Sequence, residues 1–125
     1  MNYKSVKISE NARIAKQSVI TGDVTIGRDS CVLYFAVIRG DEAPVVIGEE
    51  SNIQENCTVH VSHNKPVHIG NNVTVGCGAK ILGAFEVGDN CNIAANAVLL
   101  KPLDNDTTAV GIPARPVKVA GVPIK

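Results

Sequence analysis

The chain has no tryptophan, two phenylalanines, two tyrosines and one methionine among its 125 residues. So few large side chains exclude a broad aromatic core and leave a narrow one filled by branched aliphatics. There is no excess charge of either sign, since twelve Lys and Arg offset twelve Asp and Glu. That balance excludes the basic footprint of a nucleic-acid-binding surface. No apolar run approaches the roughly 20 residues of a membrane span. Met1-Asn2-Tyr3-Lys4 carries no apolar leader, so a soluble cytoplasmic protein is expected. The four cysteines show no C-x-x-C spacing. Proline is sparse too: only Pro44 and Pro66 precede residue 101, while Pro102, Pro113, Pro116 and Pro123 follow it.

What is present is a period. Ile69, Val75, Ile81, Val87, Ile93 and Leu99 fall every sixth residue, and so do Ile8, Ile14, Ile20, Ile26, Val32 and Ile38. Ile47, Ile53 and Val59 form a third run between them. A period of six fits neither an α-helix nor a simple strand. It fits a chain that turns a corner every six residues and drops one aliphatic into a central column each time. Three corners close a triangle, so the fifteen aliphatics predict five coils. Residues two places earlier, such as Ala79, Cys91 and Ala97, are mostly small and should be buried. Cys57 and Cys91 hold such places and read as inert core thiols; Cys31 should be partly exposed. Gly and Asn clusters, as in Gly70-Asn71-Asn72 and Gly88-Asp89-Asn90, suit corners because both accept positive φ.

Two insertions interrupt the period: three extra residues in Arg39–Pro44 and four in His60–Pro66. Both follow the third corner of a coil, so they emerge from one edge of the prism about 5 Å apart. Insertions in a solenoid map to loops, often on a binding face. The expectation is that Arg39, Asp41, Gln54, Glu55, His60 and His63 gather at this edge. Beyond Leu99 the repeat is expected to stop, and residues 101–125 to form a loop and a short strand or cap, with little helix. The whole chain, 1–125, is expected to be one domain with coils over residues 6–100.

This pattern resembles the hexapeptide-repeat proteins. The resemblance implies an all-β, left-handed parallel β-helix, assembled as a homotrimer with sites between neighbouring prisms. Within that family, Ala36-Val37-Ile38-Arg39-Gly40-Asp41-Glu42, Asn52-Ile53-Gln54-Glu55-Asn56-Cys57 and Val59-His60-Val61 resemble the gamma-class carbonic anhydrases. The resemblance implies three zinc ligands, at His60, Cys77 and Leu82. Leucine cannot ligate, so His60 and Cys77 give two ligands where catalytic zinc usually has three from protein. It also makes Arg39, Asp41 and Gln54 subunit-interface residues. Cys77 itself stays open as a ligand, a reactive thiol or a spectator.

The second half, including Gly76-Cys77-Gly78-Ala79-Lys80 and Val110-Gly111-Ile112-Pro113-Ala114-Arg115, resembles serine acetyltransferase and related hexapeptide acetyltransferases. That resemblance implies acetyl-CoA as co-substrate, its arm against backbone amides near Gly76 and Gly78 and its phosphates near Arg115 and Lys118. Acyl transfer needs a base beside the acceptor and donors for the oxyanion. His60 or His63, lying before Pro66-Val67-His68-Ile69-Gly70, is the candidate base, and His68 reads as a surface or interface residue. The expected function is acetyl transfer to a small hydroxyl or amine acceptor; the alternative is a carbonic-anhydrase-like trimer with an incomplete zinc site.

Overall fold

The computed structural model describes residues 5–61 and 65–124. These residues contain sixteen strands and no helix. The coils climb a three-walled prism. β1 (Val6–Ile8) lies on the first wall and β2 (Arg13–Ile14) on the second. β3 (Val19–Ile26) starts on the third wall and runs through a corner onto the first. β4 (Cys31–Val32) returns to the second wall, and β5 (Val37–Ile47) again spans third and first. β6 (Asn52–Ile53), β7 (Thr58–His60), β8 (Val67–Ile69), β9 (Thr74–Val75), β10 (Lys80–Leu82), β11 (Glu86–Val87), β12 (Asn92–Ile93) and β13 (Val98–Leu99) continue the same cycle. All coil-to-coil pairing is parallel, with Ile14, Val32, Ile53, Val75 and Ile93 forming one continuous ladder.

From Ile26 to Leu99 the corner aliphatics are at most 2% exposed, and they form the central column. The period does not end at Leu99. Leu103 bridges Val87, and Ala109 pairs with Ile93, so a sixth, partial coil covers the fifth. The expected stop is corrected here: the next aliphatic comes four residues after Leu99 rather than six, and the one after that is an alanine. The sixth coil then leaves the prism as an antiparallel meander of β14 (Thr107–Gly111), β15 (Ala114–Val119) and β16 (Val122–Pro123). The Ile112–Pro113 peptide, at its first turn, is cis.

The corners divide the work in a way the bare pattern hides. Asn11, Asp29, Glu50, Asn72, Asn90 and Asp106 have positive φ at one corner, and Phe35, Asn56, Gly78 and Asn96 at the next. The glycines Gly70 and Gly88 are not needed for that. They leave room for a ladder of Asx side chains: the Glu49 amide donates to Asn71 Oδ1, the Asn71 amide to Asp89 Oδ1, and the Asp89 amide to Asn105 Oδ1, each at 2.8 Å. A Cβ on Gly70 would meet Asp89 Oδ1 and the Gly88 carbonyl carbon. Phe35 is the anomaly, because a left-handed conformation costs an L-residue with a large side chain about 1–2 kcal/mol.

The first insertion does not project as a loop. Gly22 pairs with Gly40 and Val24 with Val45, so Asp41–Pro44 oppose the single residue Asp23 as a bulge in an unbroken strand. Ala43 turns into the core. The second insertion sends Val61 into the core; His63 lies outside the described residues.

Candidate active site at the edges of the third wall

The downstream edge of the third wall carries a vertical column. Thr21 pairs with Arg39, Arg39 with His60, and His60 with Leu82. Arg39 Nε donates to Asp41 Oδ2 at 3.1 Å, and the buried Thr21 hydroxyl donates to the same oxygen at 3.1 Å. An ion pair this exposed adds at most about 1 kcal/mol, but it holds the guanidinium beside His60. The imidazole is half-buried, and its Nε2 is buried with no hydrogen-bond partner among the described residues. An unmade bond at a buried nitrogen costs about 1–3 kcal/mol, which singles this atom out among the described residues.

Gln54 and Glu55 are not at this edge. They end the second wall, at the upstream edge of the third, where Cys77 Sγ lies 3.4 Å from both Gln54 Oε1 and Glu55 Oε1. Gln54 Nε2 in turn donates to Asn52 Oδ1 at 3.1 Å. The expected single cluster is thus two separate groups at opposite edges of the wall. The width of the wall separates Cys77 from Leu82 and Glu55 from His60, five residues in each case and about 16 Å at 3.3 Å per residue. Zinc ligands all lie within about 2.3 Å of the metal, so His60 and Cys77 cannot share an ion inside one chain. No group of three His, Cys, Asp or Glu is placed to hold a metal among the described residues. Within one copy, the described side chains do not fit a resident zinc.

Gly76 and Gly78 are placed beside Cys77, but their amides are committed. Gly76 donates to the Ile93 carbonyl and Gly78 to that of Glu55, both at 2.8 Å. Neither can donate to a ligand. Their contribution is space and conformation: a Cβ on Gly76 would press on the Ala95 amide at 2.7 Å, and Gly78 has φ +73°.

A slot of about 540 Å³ opens between the last coil and the C-terminal meander, walled by Leu99, Leu103, Pro113 and Pro116, with Lys101 and Arg115 among its lining. Leu100, half exposed, also lines it and continues the column below Leu82. Lys118 sits opposite Thr108 and does not line the slot. Lys101 escaped the sequence reading, although its place directly after the last full coil is a usable signal. A larger open depression, about 740 Å³, lies on the first wall around His68 and Glu86, backbone partners on consecutive coils. It holds none of the expected site residues.

A prism built of six-residue rungs defines a hexapeptide-repeat protein. The family described as bacterial transferase hexapeptide (six repeats) matches residues 5–40 and 66–101, and the chain belongs to it. Residues 41–65, between the two matches, hold most of both insertions. The chain is 48% identical over 92 residues to a probable carbonic anhydrase of Methanocaldococcus jannaschii, covering 74% of this chain and 57% of that one. It is 31% identical over 124 residues to the serine acetyltransferase of Synechococcus elongatus, covering 94% and 44%. It therefore spans about half the length of the curated relatives it matches. Among solved structures it superposes on galactoside acetyltransferase in complex with coenzyme A with a TM-score of 0.82 and 26% identity, covering 90% of this chain and 64% of that one. No helix is long and apolar enough to cross a membrane among the described residues.

Proposed function

We propose that this chain is an acyltransferase, moving an acetyl group from acetyl-CoA to a small hydroxyl or amine acceptor, and that it works as a homotrimer. The observation carrying the reading is His60: a ring nitrogen without a partner, over a leucine where a zinc site would need a ligand. In the proposed reaction the His60 imidazole takes the proton of the acceptor as its oxygen or nitrogen attacks the acyl carbon. The carbon–sulfur bond breaks, and the leaving thiolate takes that proton back from the imidazolium. His63 is the second candidate for this role. The apolar column of Leu82 and Leu100 descends from His60 in steps of about 4.8 Å. It leads to the slot, where Arg115 and Lys101 suit the phosphates of the donor. Lys118 would act only at longer range, and Gly76 and Gly78 would provide clearance rather than donors.

The test is calorimetric titration of metal-stripped protein with acetyl-CoA, repeated for Arg115→Ala. Saturable binding in the micromolar range, weakened about tenfold by loss of one charge-assisted contact, supports the reading. Absence of binding, with tight zinc uptake in a parallel titration, overturns it.

The second reading, a carbonic-anhydrase-like protein, is favoured by the 48% identity to the Methanocaldococcus jannaschii relative. In it a metal would lie between subunits, held by His60 of one and Cys77 of the next. One equivalent of bound zinc per chain, lost in His60→Ala, would favour it.

A further inference from the structure

The three outer walls of the prism differ. The second presents Arg13, Cys31, Asn52, Thr74 and Asn92 along its outward column. The third presents Val19, Val37, Thr58, Lys80 and Val98, with Leu82 and Leu100 at its downstream edge. At its upstream edge stand Tyr34 and Phe35, 53% and 61% exposed. This wall is the apolar one, and it separates the two groups.

Phe35 is also the strained residue of its corner. The same corner recurs on the coils that follow and stacks on itself, the Asn56 amide donating to the Tyr34 carbonyl, the Gly78 amide to that of Glu55 and the Asn96 amide to that of Cys77. The positive-φ place is filled by Asn, Gly and Asn on those coils and by Phe35, at φ +62°, on the second. Strain of this kind persists at sites of function. An exposed aromatic pair on a rigid corner is the composition of an interface anchor.

We propose that Tyr34 and Phe35 anchor a second copy of this chain against the third wall, with the Phe35 ring laid on the guanidinium of Arg39 of that copy. The inference rests on the trimer reading above and adds the residues that hold it. The argument is one of height. A cyclic contact joins two different edges and closes into a ring. With its axis along the prism, such a ring brings residues of one rung to the same level. Phe35 and Arg39 share a rung, as do Glu55 with His60 and Cys77 with Leu82. The upstream edge of one copy therefore meets the downstream edge of the next, aromatic face to half-exposed cation, an attractive pairing. The same contact sets Glu55 and Cys77 opposite His60 and Leu82, so neither group forms a complete site in one copy.

The experiment is sedimentation equilibrium of wild type, Phe35→Asn and Phe35→Tyr across a wide concentration range, with a thermal melt of each. Asparagine holds the same corner on two other coils, so that variant keeps the fold. The expected result is a wild-type oligomer, a Phe35→Asn protein that dissociates at concentrations at least tenfold higher than wild type, and a Phe35→Tyr protein that assembles normally. If Phe35→Asn assembles like wild type and merely melts at higher temperature, the anchor is refuted while the trimer stands. A wild type that is monomeric throughout refutes both.

Discussion

His60 and Leu82 are backbone partners on consecutive coils, so an imidazole and an isobutyl group stand side by side, about 4.8 Å apart in strand spacing. That pairing puts a leucine where the resemblance to the gamma-class carbonic anhydrases implies a zinc ligand. Leu82→His would place two imidazoles on one edge, with Cys77 of a neighbouring copy level with the second. Zinc retained after dialysis should rise from a trace to about one equivalent per chain, and adding His60→Ala should abolish the gain. No uptake by Leu82→His would mean that Cys77 does not reach this edge in the assembly.

The corner glycines yield a second expectation. In Gly70→Ala the new methyl meets both the Asp89 carboxylate and the Gly88 backbone. Overpacking of this kind costs about 1–3 kcal/mol. Asp89→Ala alone loses the bond to the Asn71 amide, worth about 1 kcal/mol. Combining the two should recover part of the first cost, because the methyl then meets one obstacle fewer. Additive losses in a double-mutant cycle of denaturant midpoints would show that the side-chain ladder is not what Gly70 accommodates.

The column of aliphatics was legible because each rung repeats one physical demand, a branched side chain pointing inward. The sixth coil was hidden because Leu103 and Ala109 meet the demand with a shortened step and a small side chain. The reason for Gly70 was misread: its partner, Asp89, stands nineteen residues away and is adjacent only once the coils stack. The same blindness merged Gln54 with His60, since six residues look near in sequence yet span a wall. Phe35 drew no notice in the sequence, because neither its exposure nor its φ is written in residue type.

Buried polar groups give a third expectation. The Ser51 hydroxyl donates to the Gly70 carbonyl at 2.8 Å and accepts the Val73 amide at 3.0 Å, stitching two consecutive coils together. Ser51→Ala leaves the buried Val73 amide without that acceptor, at a cost of about 1–3 kcal/mol. The melting temperature should fall by several degrees, and by clearly more than in Ser9→Ala, where the residue is exposed. Equal melting of the two variants would mean that water replaces the lost hydroxyl.

The thiols give the last. Cys77 is exposed, Cys31 is half-buried, and Cys57 and Cys91 are buried. Native protein should release one fast equivalent to an aromatic disulfide reagent, a slower one from Cys31, and the remaining two only on unfolding. Burial pushes the Cys57 and Cys91 thiols above their ordinary value of 9.0. Unfolding returns them to that value, so above about pH 9 the unfolded chain binds fewer protons than the folded one, and stability falls as pH rises. Below pH 9 both states keep these protons and the contribution is complete. Denaturant midpoints should therefore be level between pH 7 and about 8.5 and decline beyond it. Cys57→Ala should lessen the decline, since alanine already fills the same column at Ala36 and Ala79. An unchanged alkaline slope in that variant would assign the decline to other groups and contradict the burial argument.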